Sequence, residues 1–190
     1  MSSGALDPTN YKTFLQNYIL TYSKRPYGFK NTGGRGLGQQ DKSTLSTAIA
    51  ANNFDTIHAL VLKNIDTYTT LDNYIMRNQQ IGRSTLESPL CLALGDVNPQ
   101  IILYLLGVLI YTNMIYKDKT GFINWRIYPK SCALDKDKKL EEMLDLKFDE
   151  IVGVIQSVEP EWTPKMYGGR KTRHNRSKRQ KARRQTRRRG

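Results

Sequence analysis

Residues 88–106 have the sequence SPLCLALGDVNPQIILYLL, and they decide the fold because their apolar spacing occurs twice in the chain. Residues 43–62, STLSTAIAANNFDTIHALVL, show the same spacing 45 positions earlier, without a gap. The aligned pairs are Leu45 with Leu90, Ala48 with Ala93, Ile57 with Ile102, and Leu60 and Val61 with Leu105 and Leu106. Each copy predicts two short helices, and the first copy breaks at Asn52 and Asn53. An internal repeat at this scale predicts stacked helical hairpins.

Both segments resemble degenerate ankyrin repeats, whose signature is T-P-L-H-x-A-A followed by a turn and a V/I-x-x-L-L helix. The resemblance rests on Thr44 and Leu45 in the first copy and on residues 88–90 in the second, and it covers about 40 of the 190 residues. It implies a surface for protein–protein binding and no chemistry, while another helical array is the alternative. The departures from the signature are a spacing of 45, Ser46 and Cys91 at the histidine position, and Asn52 and Val97 at the glycine between the helices.

We therefore expect a mostly all-α fold, with an ankyrin-like helical-hairpin repeat stack and a disordered basic C-terminal tail. Two copies are fewer than a self-supporting stack needs, so flanking helices are expected to cap its ends. The expected segments are an N-terminal helix in residues 1–23, a Gly-rich loop in 24–42, ankyrin-like helical hairpins in 43–116, a C-terminal segment with an amphipathic helix in 117–158, and a linker with the disordered basic tail in 159–190.

Two amphipathic helices are predicted outside the hairpins. The first begins at Asp7 and Pro8, and its apolar face contains Tyr11, Phe14, Leu15, Tyr18, Ile19 and Tyr22. The tyrosines of that face are expected in the core, with a stacking surface for bases as the alternative. The second helix, from about Asp135 to Ser157, has the apolar stripe Leu140, Met143, Leu144, Phe148, Ile151, Val152 and Ile155. Its acidic face consists of Glu141, Glu142, Asp145, Asp149 and Glu150. We expect this face to be solvated, or to bind the basic tail of the same molecule.

Three connecting stretches have weaker patterns. Residues 101–116 are apolar but shorter than the roughly 20 residues of a membrane span, which predicts a buried helix. Residues 63–87 form an enlarged connection with a possible helix of its own around residues 71–76. Residues 122–129 alternate between apolar and polar, as in a short edge strand. Two interpretations apply to the side chains in and just after this stretch: they pack under the last helix, or they form a stacking patch for bases. The residues are Trp125, Arg126, Tyr128 and Lys130.

No catalytic constellation is found in the sequence, so we do not expect an enzyme or a cofactor. The only histidines are His58, in a repeat, and His174, in the tail, and neither builds a nucleophile or a metal site. A near match to the phosphate-binding loop fails because Asp41 stands at its second glycine. Cys91 and Cys132 are expected to be reduced core thiols in a reducing compartment, with a disulfide as the alternative.

The basic tail, residues 165–190, carries the net charge of the protein. It holds 13 of the 30 Lys and Arg residues and no acidic residue, so residues 1–164 have 17 basic and 17 acidic groups. A polycation of this kind predicts sequence-independent contact with the phosphates of DNA or RNA. The expected nucleic-acid-binding residues are Arg170, Lys171, Arg173, Arg176, Lys178, Arg179, Lys181, Arg183, Arg184, Arg187, Arg188 and Arg189.

Other roles of the basic tail stay open. Residues 178–184 are typical of a nuclear localisation signal, and the tail also suits an acidic protein partner or a membrane surface. The order YGGRKTR followed by a terminal Arg/Lys run resembles the C-terminal tails of proteins from large double-stranded DNA viruses of protists and algae. That resemblance implies a virus-encoded protein, located in the host nucleus, in a viral factory or in the virion. A virion-associated scaffold that binds an unidentified protein is the alternative function.

Overall fold

The computed structural model describes residues 10–23, 39–63, 79–81, 84–86, 88–95, 98–126, 128 and 132–164. The described part is mostly helical, as expected, with two small antiparallel sheets. The basic tail, most of the Gly-rich loop and the expected helix around residues 71–76 lie outside the described residues. The helices are α1 (Tyr11–Ser23), α2 (Gln39–Ala50), α3 (Phe54–Lys63), α4 (Pro89–Ala93), α5 (Pro99–Tyr111) and α6 (Leu134–Val158). The strands are β1 (Gln79–Ile81), β2 (Ser84–Leu86), β3 (Ile115–Lys117) and β4 (Ile123–Trp125).

Helix α5 is the centre of the core. Every residue from 101 to 111 is buried, and a helix that is apolar on all sides needs neighbours on all sides. α1, α4 and α6 pack around it, and α1 also contacts α6. At Gly107 a Cβ atom would lie 2.5 Å from Leu15 Cδ2 of α1, so the two helices are tightly packed there. The first and last helices, which were expected to cap the two ends of a stack, thus both pack on α5 and on each other.

The two predicted hairpins are present as α2–α3 and α4–α5. The helix breaks at Asn52 and Asn53 as expected, with Asn52 in the left-handed region at φ 52°. Asn53 caps α3 by accepting from Thr56 N (3.1 Å), and Asn98, 45 positions later, caps α5 by accepting from Gln100 N (2.9 Å). Asn52 Oδ1 also accepts from Asn98 N at 2.9 Å, so a hydrogen bond links the two turns.

The aligned apolar positions of the two copies are buried in both. α2 packs against α4, whereas α1 lies against both second helices, α3 and α5. Phe14 of α1 stacks on Phe54 of α3 with ring centroids 4.1 Å apart and meets Tyr104 of α5 edge-on at 6.3 Å. The second helices are thus joined partly through α1, which is an arrangement that the repeat pattern alone does not predict.

Several predicted boundaries need correction. α1 begins at Tyr11 and is capped by Asn10, whose Oδ1 accepts from Lys12 N (3.1 Å), and the predicted cap Asp7 lies outside the described residues. α2 begins at Gln39, inside the expected loop 24–42. α5 ends at Tyr111 because Asn113 turns the chain at φ 59°, so the predicted helix over residues 101–116 gives way to β3. The pairing of β1 with β2, within the enlarged connection, was not predicted.

The apolar faces of the two amphipathic helices are confirmed. In α1 the predicted residues from Tyr11 to Ile19 are buried and Tyr22 is partly buried. In α6 the stripe from Leu140 to Ile155 faces the core, with Met143 and Val152 at its edges. Val154 is also buried, although the predicted stripe leaves it out.

The expectation of two reduced thiols is wrong. Cys91 in α4 and Cys132, two residues before α6, form a disulfide with their Cα atoms 5.3 Å apart. Cys91 is fully buried, and Cys132 is partly exposed. The two cysteines are 41 positions apart, so their pairing could not be predicted from the sequence. They meet because the chain returns along α5 and places α4 beside the start of α6. The inference of a reducing compartment loses its basis.

Candidate nucleic-acid interface

The described chain ends at Pro164, immediately before the basic tail in sequence. After α6 ends, Tyr111 donates its hydroxyl to Glu159 Oε1 (2.8 Å), and the Trp162 ring stacks on the Tyr111 ring with centroids 6.1 Å apart. Gln156 Nε2 donates to the carbonyl oxygen of Trp162 at 3.3 Å. The chain up to Trp162 is therefore held at the C-terminal end of α5. The twelve expected nucleic-acid-binding residues all follow that point and lie outside the described residues.

The β3–β4 hairpin lies at the same end of α5. Only three residues separate Tyr111 from Ile115, the first residue of β3. The base of the hairpin is closed by Arg126 N, which donates to Met114 O at 2.8 Å. Four residue steps span at most about 14 Å, so Tyr111, on which Trp162 stacks, lies within that distance of the start of β3.

The tip of this hairpin is a tightly bonded turn. Gly121 N donates to Asp118 O (3.0 Å), which closes the turn. Gly121 adopts the left-handed conformation that the turn needs, with φ 87°. Asp118 N donates to Phe122 O (2.9 Å), which completes a three-residue loop of the type I plus G1-bulge kind. The Asp118 carboxylate accepts from the Thr120 hydroxyl and from Asn124 Nδ2 (2.9 Å). These bonds, the Thr120 hydroxyl first, lower the pKa of Asp118 below its usual value of 3.8.

The two faces of the hairpin differ in character. On the inner face, Ile115 is buried and its cross-strand partner Trp125 packs against the core. Lys117, on the same face, pairs with Asp149 Oδ1 of α6 at 2.8 Å and lies 4.8 Å from the centroid of the Phe148 ring. The outer face contains the partners Tyr116 and Asn124, and the alternation of side chains along the strand adds Phe122 and Arg126.

The sequence analysis did not single out Phe122 as an exposed residue at this end of α5. Its side chain is 73% exposed, at the tip of the hairpin. The signal was available, because Asp at the first and Gly at the fourth position of residues 118–121 favour a type I turn, and a turn there places Phe122 on the face opposite Ile123.

The predicted patch around Trp125 is divided between the two faces. Trp125 packs against the core and meets the Tyr128 ring edge-on at 5.1 Å, which agrees with the packing interpretation. Arg126 is exposed on the other side of the strand, and Lys130 lies outside the described residues. The four residues therefore do not form one stacking surface.

The tyrosines of α1 are in the core rather than on a stacking surface. Tyr18 is fully buried, and Tyr11 is 2% exposed with its hydroxyl donating to Glu150 Oε1 at 3.1 Å. Burial, followed by the charge of Glu150, raises the pKa of Tyr11 well above its usual value of 10.0. These rings cannot take a base without unfolding α1.

The acidic face of α6 is solvent-exposed as predicted, at Glu141, Glu142, Asp145 and Asp149. Its fifth member, Glu150, differs because it is held in a polar cluster. Its carboxylate pairs with Lys147 (2.7 Å) and Lys12 (3.1 Å), and these bonds lower its pKa from 4.5 to about 2. Glu150 thus fastens α1 to α6 and has no geometry for acid–base chemistry.

His58 is a core histidine. It is 7% exposed, with Nδ1 2.7 Å from the Tyr104 hydroxyl and Nε2 3.4 Å from Asn17 Oδ1. Because Asn17 Oδ1 can only accept, the arrangement favours a proton on Nε2 and a bond donated by Tyr104 to Nδ1. Burial lowers the pKa of His58 from 6.5 to about 4, so the ring is neutral near pH 7. Within the described ranges, no group of His, Cys, Asp and Glu side chains is placed to hold a metal ion.

Comparisons with protein-family models, with curated proteins and with solved structures found no match to this chain. In the part of the chain that the structure describes, no helix has both the length and the apolar character needed to cross a bilayer.

Proposed function

We propose that this protein is a non-enzymatic binding protein, in which the helical body contacts a protein partner and the basic tail binds DNA or RNA without sequence preference. The observation that carries the proposal is the separation of charge. Residues 1–164 are formally neutral, and residues 165–190 hold the entire net charge of +13. A formally neutral folded body that is followed in the chain by such a tail suits a module whose two parts bind different partners.

The proposed protein-binding part is the pair of hairpins α2–α3 and α4–α5, as two copies of an ankyrin-like unit. Three observations support the equivalence of the copies. The asparagine caps at Asn53 and Asn98 are 45 positions apart, the aligned apolar positions are buried in both copies, and Asn52 joins the two turns. Repeats of this type bind proteins through their turns and exposed helix faces.

The tail binds through its charge. Each neutralised phosphate releases counterions, so if half of the 13 cations engage, a tenfold rise in salt weakens binding by about five decades. Nine of the 13 are arginines, whose guanidinium groups bind phosphate bidentately and stack on bases. That composition favours nucleic acid over a purely electrostatic membrane contact.

The decisive experiment measures the affinity of the full-length protein for random-sequence DNA and RNA over a tenfold range of salt. We expect a steep salt dependence and little difference between sequences. Replacing the nine tail arginines by glutamine in the full-length chain should remove most of the affinity, whereas a tail of scrambled order should keep it. Undiminished binding by the glutamine variant would refute the proposal. No binding by the wild-type protein, with nuclear import intact, would reduce the tail to a localisation signal.

A virion-associated scaffold is a second candidate, and the disulfide favours it. Disulfides persist in oxidising environments and on virion surfaces, but are rare in the cytosol. The Cys91–Cys132 bond ties α4 to the start of α6, as in a protein that must survive outside a cell. Detection of the protein in purified particles, with this bond oxidised, would select the scaffold function, and its absence from particles would exclude it.

A further inference from the structure

We propose that the Cys91–Cys132 disulfide is a redox switch, in which an external dithiol attacks Cys132, displaces Cys91 and frees the first turns of α6 from α4. The thiols must come from another molecule, because the chain has two cysteines and both are in this bond. The inference goes beyond the proposed function and does not depend on it, since it involves no residue of the basic tail.

The first step of the argument is the unequal exposure of the two cysteines. Cys91 has no exposed surface, whereas Cys132 is partly exposed. A thiolate exchanges with a disulfide by direct attack on one of its two sulfur atoms, and access decides which one is attacked. A thiolate arriving from solvent therefore attacks Cys132, and Cys91 is the sulfur that leaves.

The second step concerns the surroundings of the leaving sulfur. The side chain of Ser88 is fully buried, and its hydroxyl donates to Cys91 Sγ at 2.7 Å while it accepts from Cys91 N at 3.2 Å. A disulfide sulfur is a weak acceptor and a thiolate is a strong one, so this donor contributes most when Cys91 is displaced. Burial disfavours a thiolate, and Ser88 offsets that penalty at the atom on which the negative charge develops.

The third step is that the Cys91 end of the bond is fixed in the core by other contacts. Leu90 and Ala93, on either side of Cys91, are buried. α4 packs against both α2 and α5. Breaking the disulfide therefore leaves α4 in place.

The fourth step is that the Cys132 end has few other contacts to hold it. None of residues 134–139 is buried, and Leu134 is 89% exposed. Ala133 stands at the N-cap of α6 and supplies no side-chain hydrogen bond. Lys139 Nζ donates to the carbonyl oxygen of Leu94, just after α4, but this bond is long at 3.3 Å and comes from an exposed side chain. Reduction should therefore release the turns of α6 that precede Leu140, its first buried residue.

The exchange balances in two displacements. One thiolate of the dithiol attacks Cys132 Sγ, the bond between the two cysteines breaks, and Cys91 leaves as a thiolate that takes up a proton. The second thiolate of the dithiol then attacks the sulfur of its own molecule in the mixed disulfide, and Cys132 leaves and takes up a proton. The dithiol loses two electrons and two protons, and the protein gains both. Reoxidation reverses the two steps.

The site of attack is tested first on the full-length wild-type protein. Brief treatment with glutathione, followed by acid quenching and mass spectrometry of peptides, should locate the adduct on Cys132. In single-cysteine variants of the native protein, dithiodipyridine should react with Cys132 of Cys91→Ser at least about tenfold faster than with Cys91 of Cys132→Ser, since a buried thiol reacts only after local opening. Similar rates in denaturant are the control. An adduct on Cys91, or equal rates in the native state, would overturn the inference.

The contribution of Ser88 is tested by the rate at which dithiothreitol reduces Ser88→Ala. Loss of a hydrogen bond to a charge that is partly formed in the transition state should slow reduction by about 3- to 10-fold. Loss of the cap on α4 alone would loosen the helix and speed the reaction, so slower reduction is not the result of a merely structural role. A rate that is unchanged or faster would rule out Ser88 as the group that stabilises the leaving thiolate.

The release of α6 is tested by amide hydrogen exchange on the wild-type protein with and without dithiothreitol. After reduction, residues 137–139 should lose most of their protection while residues 101–111 of α5 stay protected. The matched control is the double variant Cys91→Ala and Cys132→Ala, which should show the reduced pattern whether or not dithiothreitol is present. Protection that persists in residues 137–139, or that is lost together in α5 and α6, contradicts a switch confined to the start of α6.

Discussion

Substitution of Gly107 by alanine tests the central packing of the fold. Gly107 lies inside α5, and a Cβ atom there would meet the Leu15 side chain at 2.5, 3.0 and 3.3 Å. Leu15 is fully buried, so it cannot swing into solvent to make room. We expect the added methyl group to push α1 away from α5 and to lower the free energy of unfolding.

Gly153 provides a matched control for the size of this effect. It lies in α6, and a Cβ atom there meets nothing within 4 Å. Replacing glycine by alanine inside a helix stabilises by up to about 1 kcal/mol, and this gain is common to both sites. Overpacking costs about 1–3 kcal/mol, so Gly107→Ala should be less stable than Gly153→Ala by that amount. For a domain of this size the difference corresponds to roughly 2–12 °C in Tm.

Chemical denaturation followed by circular dichroism measures the two free energies. In a Leu15→Ala background, which removes the obstructing methyl groups, Gly107→Ala should no longer destabilise. Equal stabilisation by Gly107→Ala and Gly153→Ala in the wild-type background would show that α1 and α5 do not approach as closely as described.

Three further outcomes follow from local contacts. The pKa of His58 is lowered from 6.5 to about 4, so the unfolded chain binds the proton more readily than the folded protein. The free energy of unfolding should therefore be highest above pH 6.5 and should fall by about 3 kcal/mol as the pH drops to 4. His58→Gln, which cannot take up that proton, should flatten the profile, and an unchanged profile would contradict the assignment. Cys132→Ser should lower the free energy of unfolding by about 4 kcal/mol, as expected for a disulfide that closes a loop of 41 residues. Reduction of the wild-type protein should lower it by the same amount. An unchanged unfolding midpoint after reduction would argue against the bond. Asn98→Ala should cost about 1 kcal/mol while Asn98→Ser, which can still cap α5, costs little, and equal losses would rule out the cap.

The helices could be predicted where their apolar pattern is long. The 3.6-residue period predicts α6 to within one residue at each end and the buried face of α1, and the gapless repeat predicts both hairpins. The period fails at Asn113, where a single left-handed residue ends α5 while the apolar run continues into β3. Strands of three residues are short for a period of two to be recognised, so β3 could not be seen from composition alone, whereas its partner β4 falls within residues 122–129, where the alternation predicts a short edge strand.

The candidate site could be predicted only in part. The charge count locates the basic tail without any structure, since charge is additive along the chain. The disulfide and the Phe122 tip depend instead on which segments meet in space. Cys91 and Cys132 are joined only because α5 reverses the chain between them, and Phe122 is exposed only because the turn at Asp118 directs it away from the core.

The disulfide makes a covalent ring that contains α5 and the β3–β4 hairpin, since both lie between Cys91 and Cys132. Lys119, exposed at the hairpin tip, and Arg126, exposed just after β4, are two positions at which trypsin can cut this ring. A chain nicked there stays a single molecule, because the bond still joins its two halves, and it separates into two fragments only on a reducing gel. The hairpin tip can thus be opened by a protease while α6 remains attached to α4.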